Sequence, residues 1–161
     1  MKGLKHFANL YAEGKFAEVV SQLSSIEIID RNLLSLRGIS YKALGNLPKA
    51  IADLEAAAES NLDTNIYTNL GNAYREAGNL KGAIRAYNIA ISSDNDNYNA
   101  HEASGFAFFD TGKLDMATSA FKHCVRLQPE SDRANYYLGE AYRKAGNIEE
   151  SKSAYSKSNF H

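Results

Sequence analysis

Four histidines and one cysteine are the side chains best suited to chemistry, and their spacing offers little. His6, His101, His123 and His161 form no H-E-x-x-H run and no pair at metal-ligand spacing. His123 and Cys124 are neighbours on a helical stretch and point to different faces, so they do not share a metal. Cys124 reads as a buried structural thiol, and a lone cysteine excludes an internal disulfide or a multi-cysteine zinc site. Walker, G-x-S-x-G and G-x-G-x-x-G motifs are missing. "DNDN" at 94–97 has calcium-ligand residue types but lacks the glycine and distal glutamate of a calcium loop, and reads as a turn. No catalytic residue, metal or cofactor is expected.

Bulk properties narrow the partners. Phe106-Ala107-Phe108-Phe109 would suit base stacking, but 18 Lys+Arg against 19 Asp+Glu, a net charge of −1, provides no field for nucleic acid. Nothing approaches the ~20 apolar residues of a membrane span, and "MKGLKHFANLYAEGKF" has no signal-peptide apolar run. The expectation is a cytoplasmic protein, 44% hydrophobic and 23% charged, with no nucleic-acid partner and no membrane insertion. One domain over 1–161 suits the length.

Function then depends on what the elements present, and the elements repeat. "LGNAYREAGN" at 70–79 returns as "LGEAYRKAGN" at 138–147, with "SGFAFFDTGK" at 104–113 and "RGISYKALGN" at 37–46. Gly38, Gly71, Gly105 and Gly139 are spaced 33, 34 and 34 apart, as are Gly45, Gly78, Gly112 and Gly146. An aromatic precedes each second glycine by four residues: Tyr41, Tyr74, Phe108, Tyr142. A small residue follows it by five (Ala50, Ala83, Ala117, Ser151), and Leu54, Tyr87, Phe121 and Tyr155 come four later. Leu70, Gly71 and Tyr74 share one helical face, as do Ala83, Tyr87 and Ala90. A helix-interior glycine costs about 1 kcal/mol relative to alanine, so four in register imply a close neighbour. Gly78 and its equivalents end the first helix in the left-handed conformation, and Pro48 suits the first turn of a second. Each unit is therefore helix, turn, helix. Neither helix buries its face alone, so units must stack.

These columns resemble the tetratricopeptide repeat family, with its 34-residue period and its L-G-x-x-Y, Gly, Ala, aromatic, Ala, Pro order. They stand here as Leu70-Gly71, Tyr74, Gly78, Ala83, Tyr87 and Ala90, with Pro129 at the proline column. Departures are Leu34, Tyr67, His101 and Asn135 at the Trp-like column, Arg37 and Ser104 at the Leu70 column, and Cys124 at an alanine. The resemblance implies an all-α fold, a right-handed α-α superhelix of about five helix pairs. Residues 1–30 make a degenerate first pair with a short second helix, 31–63, 64–97 and 98–131 are full repeats, and 132–161 ends in a polar capping helix.

In that family, first helices line a concave groove for an extended peptide or a partner helix. Here the groove takes Asn65, Thr68, Asn69, Asn72, Arg75 and Glu76 from 64–97. The next unit adds Asn99, Glu102, Phe106, Phe109 and Asp110, and the last adds Arg133, Tyr136, Tyr137, Glu140, Arg143 and Lys144. Asparagine both donates and accepts, so Asn69 and Asn72 can pin a peptide backbone, and the aromatics offer rigid contact area or pack between units. The family's chaperone-tail clamp is met at only two positions, Asn72 and Arg133, with Thr68, Ala103 and Tyr137 at the others, which disfavours a co-chaperone role.

The leading expectation is a non-enzymatic adaptor that binds a protein or peptide ligand in this groove. Other classes are a small bacterial chaperone resembling those of type III secretion translocators, and a scaffold that self-assembles as a homo-oligomer. Specificity is expected where copies disagree: Asn72 becomes Glu140, and Glu76 becomes Lys144.

Overall fold

Glycines with φ between 71° and 83° (residues 14, 45, 78, 112 and 146) stop the first helix of every pair. At Gly78 the turn closes by Gly78 N–H to the Arg75 carbonyl and Asn79 N–H to the Tyr74 carbonyl, 3.0 and 2.8 Å. This is the glycine-terminated helix end, and the same two bonds recur at all five turns. The computed structural model describes residues 3–26, 30–59 and 62–159. Among them the helices pair as α1 (Leu4–Ala12) with α2 (Phe16–Ser24), α3 (Arg31–Ala43) with α4 (Leu47–Ala58), and α5 (Thr64–Glu76) with α6 (Leu80–Ser93). Then come α7 (Tyr98–Asp110) with α8 (Leu114–Leu127), and α9 (Asp132–Lys144) with α10 (Ile148–Tyr155). His161 lies outside the described residues.

Capping sharpens the other ends. Asp30, Asp63, Asn97 and Ser131 accept backbone N–H bonds at the starts of α3, α5, α7 and α9, and Asn46 and Asn79 do so for α4 and α6. Pro48 sits in the first turn of α4, as expected. The outer helices are short: α1 and α2 have nine residues and α10 has eight, against 12 to 14 for those between. Asn159 closes the far end by donating twice to Asp132.

The interior glycines are where the pairs close. A Cβ on Gly71 would stand 2.4 Å from Tyr87 Cε1, and one on Gly105 would stand 2.7 Å from Phe121 Cε1. Gly139 faces Tyr155 and Gly38 faces Leu54 in the same way. Ala50, Ala83 and Ala117 are fully buried beside these contacts, and Ser151 in that column bonds the Gly139 carbonyl at 3.0 Å. Each even-numbered helix up to α8 also packs on the first helix of the next pair, so the core is continuous along the stack.

Column by column, the variable positions vary together. Where the second helix carries tyrosine, the residue after the interior glycine is polar and takes its hydroxyl: Tyr87 to Asn72 at 2.8 Å, and Tyr155 to Glu140. Where it carries leucine or phenylalanine, that residue is apolar: Ile39 packs with the Leu54 cluster, and Phe106 meets Phe121 edge-on at 5.4 Å. The residue before the glycine follows the same logic. Leu70 lies with Ala86 and Leu138 with Ala154, whereas Arg37 forms a two-pronged pair with Asp53 at 2.7 and 2.8 Å.

The "DNDN" segment is the turn between α6 and α7, and it hosts a histidine pair that the linear sequence hides. His101 and His123 stack at 3.7 Å, with their Nε2 atoms 2.9 and 3.0 Å from the Asn95 carbonyl. Arg126 Nη2 is 2.7 Å from His123 Nε2 and 3.4 Å from Asp96. The carbonyl asks that nitrogen to donate, and the guanidinium asks it to accept. Cys124 is buried next door, and burial pushes its thiol up to about 12, so it stays protonated.

Three outcomes test this account. Gly71→Ala gains helix propensity of about 1 kcal/mol but overpacks against Tyr87 at a cost of about 1–3 kcal/mol, for a net loss of up to about 2 kcal/mol in urea unfolding. Asp53→Ala strands Arg37 and costs up to about 3 kcal/mol, whereas Arg37→Leu with Asp53→Ala restores the pattern of the other units and is neutral or stabilising.

The third concerns pH. Burial holds His101 below its ordinary value, aided by His123 and Arg126 and opposed by the Asn95 carbonyl and Asp96. The unfolded chain therefore takes a proton that the folded chain resists. Stability from this group is full above about pH 6.5 and is lost as pH falls through the lower folded value. The urea midpoint should drop between pH 7.5 and 5.5, and His101→Gln should shrink that drop.

Candidate partner-binding groove

First helices stand side by side, so residues one turn from the packing face line a common surface. α3, α5, α7 and α9 enclose a basin of about 360 Å³ there. All six residues expected from α5 line it: Asn65, Thr68, Asn69, Asn72, Arg75 and Glu76. Asn99, Glu102 and Phe106 join from α7, and Arg133 from α9. Lys42 and Ala103 also line it and were not singled out in the sequence as groove residues. Lys42 was legible, since it stands one repeat before Arg75 in the same column.

The basin is polar but not uniformly available. Thr68 is buried and donates to the Thr64 carbonyl at 2.6 Å, and the Asn72 oxygen is taken by Tyr87. Burial pushes the Tyr87 hydroxyl up to about 12, so it remains a neutral donor. Asn65, Asn69 and Asn99 make no side-chain hydrogen bond among the described residues and face the opening. Phe106 lies beneath two guanidinium groups, with Arg75 at 5.9 Å and Arg133 at 5.5 Å from its ring centre.

Around the rim, each first helix is tied to the next by one recurring contact. Lys42 meets Glu76 at 3.0 Å, Arg75 meets Asp110 at 3.3 Å, and the Lys144 ammonium sits 4.1 Å from the Phe109 ring centre. Each joins the residue four after the interior glycine to the residue five after it in the next unit. The change from Glu76 to Lys144 therefore follows a change of intramolecular partner, whereas Asn72 and Glu140 both accept from a tyrosine hydroxyl and Glu140 adds Arg143.

The remaining expected groove residues do not line the basin, because they are engaged with one another. Tyr137 packs edge-on to Phe106 at 4.6 Å and lies over Phe121 at 5.9 Å. Tyr136 contacts Tyr137 and Tyr155 at 5.3 and 5.7 Å. Glu140 is held in a fork by Arg143, at 3.1 and 2.8 Å, and accepts from Tyr155. Those bonds, Arg143 first, hold the Glu140 carboxyl below its usual range. Phe109 lies under Lys144, and Asp110 is tied to Arg75. Among the described residues no three His, Cys, Asp or Glu side chains are grouped to hold a metal, and no helix is long and apolar enough to cross a membrane.

Known proteins share this architecture. Family models described as TPR repeat and tetratricopeptide repeat match residues 71–112 and 102–157. Human tetratricopeptide repeat protein 6 is 25% identical over 127 residues, and Superkiller protein 3 of Schizosaccharomyces pombe is 26% identical over 113. These alignments cover 77% and 70% of this chain but only 24% and 8% of those longer proteins. The crystal structure of MamA superposes with a TM-score of 0.86 at 21% identity, covering 94% of this chain and 91% of MamA. An RS-1 ArsTM double mutant of MamA gives 0.84 at 18% identity, covering 96% and 91%. At such identities the likeness concerns the fold alone. With period, turns and interior glycines all in register, the chain belongs to the tetratricopeptide repeat family and has the fold of a protein-interaction or scaffold module.

Proposed function

We propose that the chain is a non-catalytic adaptor whose basin between α3, α5, α7 and α9 holds an extended segment of a partner protein. The observation that carries this is the set of unspent carboxamides: Asn65, Asn69 and Asn99 face the opening with donors and acceptors uncommitted. An extended backbone presents N–H and C=O groups in alternation, and a carboxamide answers both. Such contacts accept many sequences, while the packed column residues keep the amides on rigid helices.

The rim supports the same reading. Its ion pairs are partly exposed and screened by solvent, so each adds only about 0–1 kcal/mol, and their effect is to keep neighbouring first helices in register. The basin is thereby shaped before a partner arrives, which lowers the ordering cost of binding.

Replacing Asn65, Asn69 and Asn99 together by alanine removes the amides while raising helix propensity, so the fold should persist. Affinity purification with wild-type and triple-variant chains, checked by circular dichroism, tests the reading. Partners held by the wild type should be lost from the variant. Full retention of every partner would overturn groove binding.

A further inference from the structure

Two neighbouring junctions tie their inter-unit turn by the same contact, made with different chemistry. At the α8–α9 turn the Asn135 carboxamide donates to the Pro129 carbonyl at 2.8 Å, six residues back. At the α6–α7 turn His101 Nε2 meets the Asn95 carbonyl at 2.9 Å, again six residues back. His101 and Asn135 occupy the same column and are 7% and 1% exposed. A carboxamide takes up no proton near neutral pH, whereas an imidazole does. Of the two ties, the one at α6–α7 is open to control by acidity.

A second imidazole joins this tie from α8. His123 stacks on His101 at 3.7 Å, with its Nε2 3.0 Å from the Asn95 carbonyl and 2.7 Å from Arg126 Nη2. The guanidinium always keeps its protons, so a bare His123 Nε2 accepts from Arg126, which reaches on to Asp96 in the turn at 3.4 Å. A proton on that nitrogen sets N–H against N–H and breaks the link. A proton on His101 places a charge in a buried site beside His123 and Arg126. The turn supplies two acids, of which Asp94 is spent on the Asp96 backbone N–H at 3.1 Å and Asp96 is 72% exposed. From α6, Asn88 and Ile91 border the stack and do not titrate. On α7, Glu102 pairs with Arg133 in the basin, and on α8 the Cys124 thiol faces the Tyr98 carbonyl.

We propose that the His101–His123 stack is an acid-sensitive latch: with both rings neutral it holds the α6–α7 turn against α8, and a proton taken up by the stack frees the turn. Burial opposes a charge on His101 most, and His123 and Arg126 add to it, against the Asn95 carbonyl and Asp96. The closed turn resists the proton and the open turn accepts it near the ordinary histidine value of about 6.5. The latch is therefore closed above that pH and opens as pH falls below it. For one proton the opening equilibrium rises up to about tenfold between pH 7.5 and 5.5. Asn99 and Glu102 flank His101 on α7 and line the basin, so the latch moves one wall of the basin whatever the basin holds.

Backbone hydrogen exchange of the intact chain, read by NMR at pH 7.5 and 5.5 and corrected for intrinsic rates, tests the latch. The reporters are the Asn97 and His101 amides, which bond the Asp94 and Asn97 carbonyls at 3.2 Å each. The reference is the Asn135 amide, bonded to the Ser131 carbonyl at 3.0 Å in the non-titrating junction. Protection of the reporters should fall by up to about tenfold more than that of the reference. His101→Asn copies the α8–α9 tie and should abolish this extra fall. Arg126→Gln, at a side chain 61% exposed, removes a charge that opposes the proton and should lessen it. An equal fall at all three amides, or an extra fall that persists undiminished in either variant, would overturn the latch.

Discussion

The contact between a glycine backbone and the ring or branched carbon opposite sets the geometry of every full helix pair. With no Cβ on Gly71, the Tyr87 ring lies directly against the backbone of α5, and the two axes come as close as that ring allows. The cost of a helix-interior glycine is about 1 kcal/mol and is offset by burying the whole ring at 0% exposure. Four such contacts in register give four pairs of like geometry. Like pairs related by one repeated step form a stack with a concave side, so the groove is a consequence of this contact rather than a separate feature.

Once the glycine contact is in place, its neighbours are constrained in sets. A tyrosine at the ring position brings a hydroxyl that needs an acceptor, and Asn72 or Glu140 supplies it. A phenylalanine brings none, and Phe106 packs there instead. The groove-facing residue after the glycine is therefore chosen partly from behind. Phe106 enters the basin because Phe121 has no hydroxyl, and its exposed face is what Arg75 and Arg133 cover.

The period, the turns and the interior glycines were legible in the sequence, because each is a local demand on one residue type repeated at a fixed interval. Six groove residues on α5 were legible for the same reason, since a helix face is read from spacing alone. What the linear sequence hid was which side chains are spent on each other. Lys42 with Glu76 and Phe109 with Lys144 are partners one repeat apart, so differences at 76 and 144 look like specificity until their neighbours are seen. For the aromatics the sequence left groove contact and packing between units both open, and Tyr137 packs against Phe121 and Phe106 beside the basin. His101 and His123 come from different columns and meet only because the α6–α7 turn presents the Asn95 carbonyl to both.

These spent and unspent groups divide the surface by mechanism. The Arg37–Asp53 pair, with side-chain exposures of 19% and 12%, is half-shielded and serves the stack. Rim pairs such as Arg75–Asp110, at 34% and 46%, are more open to solvent and more strongly screened. The amides of Asn65, Asn69 and Asn99 make no side-chain hydrogen bond among the described residues. The glycine contacts, repeated at a fixed step, hold those amides in line along one side of the stack.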